Sequence, residues 1–371
     1  MPAASPPVLD RRALNRALLA RQLLLERAGM PAADAVEHLV GMQAQAPNPP
    51  YLGLWTRLDG FRTEDLAELV RGRQAVRLVM MRSTIHLVTA RDCLRLRPVL
   101  AESLARTLQS AFGRGLAGLD LDEVVRLGRR LLEEEPLTLG GLGTRLAEKW
   151  PDRDGFALAN AVRNLAPLVQ LPPRGLWGES GQAVHATAES WLDAPLESDT
   201  SPDAVVLRYL AAFGPASVKD MQMWSGMTRL AAAVKRLRDE LLVFRDETGR
   251  ELYDLPDAPR PDPGTAAPVR LLPEFDNILL SHADRSRILT EDQRRTVMTR
   301  NGLIKSTVLV DGFVAGLWRL EQQRDAAAVV VEPLVPLTRR EQDAVEAEAG
   351  RLLDFAAPGA ATHEVRTLSG P

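Results

Sequence analysis

PDAVVLRYLAAFGPASVKDMQMWSGMTRLAAAVKRLRDELLVFRDETGRELYDL, residues 202–255, carries the punctuation of one complete small folding unit. Apolar residues at helical spacing predict a helix from Pro202 to Phe213. Ser217 stands where its hydroxyl can accept free N–H groups at the start of a second helix, SVKDMQMWS. A third helix is expected from Thr228 to Glu240, and LLVFRDETGRELYDL alternates as a β-hairpin closing on ETGR.

Helices followed by a two-stranded ribbon make the winged-helix order, a variant of the helix-turn-helix plan. Upstream the same order recurs without sequence identity. Leu14 to Ala28 and Ala32 to Val40 are expected as helices, with Gly29 and Pro31 stopping the first. Thr63 to Val70 is a helix whose first turn holds Glu64 and Asp65, and AVRLVMMRSTIHLV gives two short strands. Between these modules, residues 121–133 and 156–168 are expected as helices, LTLGGLGTRLAEKW as a turn and short helix, and VQLPPRGLWG as strand and wing. Downstream, PDAPRPDPGTAAP has five prolines in residues 256–268 and cannot form a regular element. Beyond it VRLLPEF, STVLVDGFVAGLWRL and AAAVVVEPLV are expected as strands with a turn at Asp311-Gly312, and TRREQDAVEAEAGRLLDFA as a helix. The fold class expected is therefore mainly α with β (α+β). Winged-helix modules span 9–115, 116–200 and 201–255, and a small α+β or barrel-like domain spans 269–371.

Composition bounds what such a chain does. At 371 residues it exceeds what one core usually serves. Hydrophobic residues at 45% and charged ones at 26% are ordinary for a globular protein. No apolar run approaches the roughly 18 residues of a membrane span. The start, MPAASPPVLD, has neither a basic nor an apolar leader segment, so a cytoplasmic protein with no membrane partner is expected. Cys93 is the sole cysteine, which excludes an intrachain disulfide and a multi-cysteine metal site. His38, His86, His185, His282 and His363 are scattered without a paired spacing, so neither a metal nor another cofactor is expected.

The net charge of -3 argues against a nucleic-acid partner, but its distribution reverses the reading. Residues 1–115 hold 16 basic against 10 acidic residues, a balance of +6, whereas residues 116–200 hold 8 against 14, a balance of -6. One basic face can exist on a protein that is not basic as a whole.

Four stretches, GMQAQAPNPPYLGLWTRL (41–58), MRSTIHLVTARD (81–92), LPPRGLWG (171–178) and LLPEFDNILLSHADR (271–285), are followed by a DGFVAGLW strand pair. In order and spacing this set resembles the winged-helix DNA glycosylases of the AlkZ and YcaQ family, over nearly the whole chain. The resemblance implies a monofunctional glycosylase whose catalytic element is a glutamine, an apolar residue, and a glutamine or aspartate. Gln43-Ala44-Gln45 matches the glutamine-ending form; the aspartate-ending form is absent. The implied partner is double-stranded DNA carrying alkylated purines, as monoadducts or crosslinks, in base excision repair or antibiotic self-resistance.

Elementary chemistry agrees with that assignment. A purine alkylated at N7 or N3 is already cationic and leaves without a general acid. Glutamine is no base near neutral pH, but its amide offers an acceptor oxygen and two donors that orient water. With one residue between them on an extended backbone, Gln43 and Gln45 point to roughly the same side. Positioning of this kind acts through proximity and preorganisation. The bland alternative is a solvated QAQ loop, against which the rigid PNPP that follows argues.

Further candidates lie close by in sequence. By strand alternation His86 faces away from Ile85 and Leu87, where a wing residue contacts phosphate, or else it is a hydrogen-bonded structural histidine. Arg82, Ser83, Thr84 and Asn48 are candidate DNA contacts. Glu274 and Asp276 are the acidic residues that could approach substrate, and Asp276 is alternatively a partner for a structural arginine such as Arg285. The competing function is a non-catalytic winged-helix DNA binder, a regulator or adduct binder. A metal nuclease is a third, without the carboxylate and histidine cluster it needs.

Overall fold

The computed structural model describes residues 6–369. The first five residues, on which part of the leader reading rests, lie outside it. A first unit comprises β1 (Val8–Leu9), α1 (Arg11–Arg21), α2 (Ala32–His38), β2 (Met42–Gln43), α3 (Pro49–Trp55), α4 (Thr63–Arg71), β3 (Ala75–Val79), β4 (Ile85–Thr89), α5 (Ala90–Val99) and α6 (Ala101–Leu116). The second is α7 (Leu121–Glu134), β5 (Leu137–Thr138), α8 (Leu139–Ala147), α9 (Gly155–Leu165), β6 (Leu168–Gln170), β7 (Val184–Thr187) and α10 (Ala188–Leu192). The third is α11 (Asp203–Phe213), α12 (Val218–Ser225), α13 (Leu230–Arg236), β8 (Leu242–Asp246) and β9 (Glu251–Asp254). The last is β10 (Arg270–Leu272), α14 (Asn277–Leu280), α15 (Glu291–Val297), β11 (Thr307–Val310), β12 (Phe313–Gln322), β13 (Ala326–Pro333), α16 (Arg339–Ala356) and β14 (Thr362–Thr367).

Helix, strand, helix, helix, strand, strand is the order of both α2 to β4 and α7 to β7, so each ends on a two-stranded hairpin after its helices. The two copies share one six-stranded sheet in the order β2-β4-β3-β6-β7-β5, a palindrome about the β3–β6 seam. At that seam Arg77 pairs with Gln170 and Leu78 with Val169, so each copy's hairpin offers an edge that the other covers. The third unit keeps the helical part, shortens its first strand to a single bridge between Ala216 and Tyr253, and binds β1 parallel to β8.

Local chemistry sets most boundaries. Ser217 and Asp220 form the capping box that starts α12. The hairpin β8–β9 turns at 247–250. Asp311 and Gly312 both have positive φ, 48° and 81°, as a tight hairpin turn requires. Several helices differ from expectation: α2 stops at His38, α9 stops at Leu165, and α3, α5, α6, α10, α14 and α15 are additional. α1 begins at Arg11, where Asp10 caps it, and ends at Arg21, with Leu23 in the left-handed region. α4 is capped from Arg62, with Asp65 reaching back to its N–H, rather than from Thr63. α13 covers only Leu230–Arg236, because Arg229 is left-handed.

The Pro-rich stretch 256–268 has no regular element and lies against α1, its Pro259, Pro263 and Thr265 carbonyls accepting from Arg21, Arg12 and Arg16. Beyond it the sheet runs β10-β11-β12-β13-β14 with two open edges, so of the two expected alternatives the α+β one holds. α6 to α9 enclose a separate core around Val124, Leu142, Leu158 and Val162, each 0% exposed. No helix among the described residues is long and apolar enough to cross a membrane.

Candidate active site: an amide loop held from four sides

Gly41 sets the loop up. Its φ of +84° suits glycine, and a Cβ there would meet Val88 Cγ1 at 2.6 Å. β2 then pairs Gln43 with His86, after which the Ala44 N–H donates to the Ile85 carbonyl at 2.8 Å. Gln45 prolongs the ladder with its side chain, Oε1 accepting from the Ile85 N–H at 2.8 Å. Gln43 is buried and its Oε1 accepts from Arg82 at 2.8 Å, whereas Gln45 is exposed. Because Arg82 and a backbone N–H only donate, both amide orientations are fixed. Each glutamine keeps its NH2 group and one oxygen lone pair for other partners.

The four stretches quoted above meet around this loop. Arg77, buried on β3, donates to the Ala44 carbonyl at 2.7 Å and lies beneath Gly175 of LPPRGLWG. Tyr51 on α3 donates to the Gly175 carbonyl at 3.0 Å and packs on Trp177. Asn48, exposed, faces the Gly178 N–H at 3.5 Å. From the last unit, Asn277 donates to the Gly41 carbonyl at 2.9 Å, and Trp318 donates to the Leu272 carbonyl at 2.8 Å. Asp276 caps α14 and makes a two-armed pair with buried Arg57 at 2.8 Å, while Arg57 also donates to the Gly53 carbonyl of α3. Asp276 is thus a brace, and its arginine is Arg57 rather than Arg285. Arg285 donates to the Leu279 carbonyl at 2.7 Å.

The turn joining β3 to β4, half-buried at Arg82, Ser83 and Thr84, reaches α9 and α12. Arg82 and Ser83 both adopt positive φ, 56° and 59°, a conformation that costs free energy in L-residues unless its surroundings enforce it. Ser83 donates to Asn164 on α9 at 2.7 Å, and Thr84 to the Met81 carbonyl at 3.1 Å. Every residue of β4 is buried, so alternation gives His86 no outward face. His86 is 2% exposed with Nδ1 at 3.0 Å from the Thr84 carbonyl. Burial, with Arg82 adding to it, pushes its pKa down to about 3, so the ring is neutral near neutral pH.

Arg77, Arg82, Arg97 and Arg163 sit around the shared sheet without a carboxylate partner among the described residues, unlike Arg21, Arg57 and Arg208. Burial pushes the first three down to about 10, which leaves them charged near neutral pH, and lowers Arg163 as well. A cleft of 570 Å³ opens beside the loop, between Ala46, Asn48 and Pro49 and the last unit's Lys305, Trp318 and Glu274. Burial raises the pKa of Glu274. No group of three or more metal-ligating side chains exists among the described residues.

Sequence reasoning missed Arg77, Arg57 and Asn277. For Arg77 a signal existed, a lone arginine inside the apolar strand AVRLV. Asn277 follows Asp276 in a short helix and nothing in the sequence marks its reach to Gly41.

Two fixed amides, buried arginines and tandem helix–hairpin units fit the DNA glycosylase class, and the family match establishes it. The chain matches the model of the AlkZ-like DNA glycosylases over residues 36–355 and belongs to that family. It is 26% identical over 353 residues to the interstrand DNA cross-link repair glycosylase of Streptomyces sahachiroi, covering 90% of this chain and 92% of that one. The solved structure of the Streptomyces sahachiroi DNA glycosylase AlkZ matches with a TM-score of 0.81 at 23% identity, over 97% of this chain and 100% of the other.

Proposed function

We propose that this glycosylase hydrolyses the N-glycosidic bond of bulky or cationic alkylated purines, of the N7-alkylguanine type, in double-stranded DNA. Gln43 and Gln45 are its catalytic residues. Their fixed amides are the observation that carries the reading: both oxygens are held by the protein, so the NH2 groups and spare lone pairs are aimed without reorganisation. A water and a sugar or phosphate oxygen are the partners that suit them. Neutral His86 cannot protonate a leaving base, which fits a base that departs already charged. Asn48 contacts DNA from the exposed end of the loop and half-buried Ser83 and Thr84 are further DNA contacts, whereas Arg82 holds Gln43 and buried His86 backs it across the strand pair. The relative named for cross-link repair makes crosslinked guanine a substrate to test beside the simple adduct. The protein works as a monomer in the cytoplasm, at the nucleoid, with unit boundaries near 115, 200 and 255–269.

The test is incubation with duplex DNA carrying N7-methylguanine, followed by mild alkali to cleave abasic sites. Strand cleavage at the adduct is expected, with unmodified duplex spared. Tight binding without cleavage would make the protein a binder instead.

A further inference from the structure

Arg82 has two arms and no anion. One Nη donates to Gln43 Oε1 at 2.8 Å; the other donates to the Trp224 carbonyl, in the last turn of α12, at 2.5 Å. No carboxylate lies within ion-pair distance of it among the described residues, and Arg285 is a nearby like charge. A cation suits a helix C-terminus, where carbonyls lack intrahelical partners. The backbone is committed as well. Arg82 has a φ of +56° and lies so close to Gly226, the left-handed residue ending α12, that a Cβ there would meet the Arg82 nitrogen at 3.2 Å. Ser103 of α6 donates to the Gly226 carbonyl at 2.5 Å and closes the same corner. The turn is therefore locked between the first and third units.

We infer that Arg82 is a positioning residue: its planar fork fixes Gln43 with Oε1 inward and NH2 outward, and makes that orientation depend on the docking of α12. A guanidinium on the amide oxygen also polarises the amide, which strengthens its N–H groups as donors. Lysine cannot reproduce this, because a point charge on a flexible stem lacks the fork. The inference rests on the catalytic reading of Gln43 and differs from a phosphate-contact role in what it leaves unchanged.

Single-turnover excision of N7-methylguanine from duplex DNA, and duplex affinity at several salt concentrations, should be measured for wild type, Arg82→Lys and Arg82→Ala. Arg82→Ala should lose on the order of 100-fold in rate, and Arg82→Lys a smaller factor. Affinity and its salt slope should stay those of wild type. Should Arg82→Ala fail to fold in a thermal scan, Arg82→Lys is judged by the same criteria. A normal rate with weaker binding, and a salt slope reduced by about one, would make Arg82 a phosphate contact and overturn the inference. Normal rate and binding would overturn it too. Either result leaves the proposed function standing if wild type excises; an inert wild type overturns both.

Discussion

The first and second units place matching residues at matching points of one sheet and then part company at a single junction. Gln43 pairs with His86, which pairs with Leu78; Leu137 pairs with His185, which pairs with Gln170. Thr138 follows Leu137 and its hydroxyl accepts from the Gly141 N–H at 3.1 Å, so α8 starts at once. The third unit does likewise, Ser217 following Ala216 to cap α12. In the first unit the equivalent residue is Ala44, which cannot cap. Four more residues, Gln45 to Asn48, intervene before α3, which starts without a side-chain cap. The glutamine loop is thus an elaboration of a strand-to-helix junction that the other units spend on helix capping. The proposed chemistry thus sits at the junction that carries no helix cap, and braces such as Arg57–Asp276, Asn277 and Arg77 hold the loop.

The largest expected effect of disturbing that difference falls on the brace. Asp276→Ala leaves Arg57 buried without its anion and should cost about 3–5 kcal/mol of stability, read by chemical denaturation. A loss under about 1 kcal/mol would mean that water reaches Arg57.

His86 and His185 come next, since here the two units are alike. Both are buried neutral, with pKa values pushed from 6.5 down to about 3 and about 4. Below pH 6.5 the unfolded chain binds a proton that the folded ring refuses. Stability attributable to each is intact above that pH and falls as pH drops toward the folded value. His86→Phe and His185→Phe should each flatten this acid limb by up to about 1.4 kcal/mol per pH unit. Equal slopes in wild type and variants would contradict the burial argument. His185→Phe should leave excision untouched, because its strand partner is Leu137.

Thr138→Ala is the mildest break. It removes the cap that the first unit has already given up and should cost about 1 kcal/mol with no change in excision rate. A slowed reaction would tie the second unit's junction to the chemistry.

Local signals made much of this legible. Capping residues, hairpin turns and apolar periodicity announced α12, β8–β9, β11–β12 and α16, because their causes lie within a few residues. The glutamine motif was visible only through the family resemblance, carried by the stretches that turn out to surround it. What stayed hidden depends on distant partners. The β3–β6 seam joins residues about ninety apart, and strand alternation alone did not show that β4 is covered on both faces. Arg57 and Asp276 are 219 residues apart, so the nearby Arg285 suggested itself and the distant partner was missed. Arg82 looked like an outward wing residue because neither its left-handed backbone nor the approach of α12 is written locally.

The central claim is that the loop at Gln43 and Gln45 is what the first unit has and the others lack as an active element. Single-turnover excision of N7-methylguanine from duplex DNA by Gln43→Ala, Gln45→Ala and the double variant tests it directly. Each single change should slow excision on the order of 100-fold with duplex affinity nearly unchanged. The double variant should lose less than the product of the two, as residues acting as a unit do. A double variant that excises at the wild-type rate would contradict the account and return the loop to a structural role.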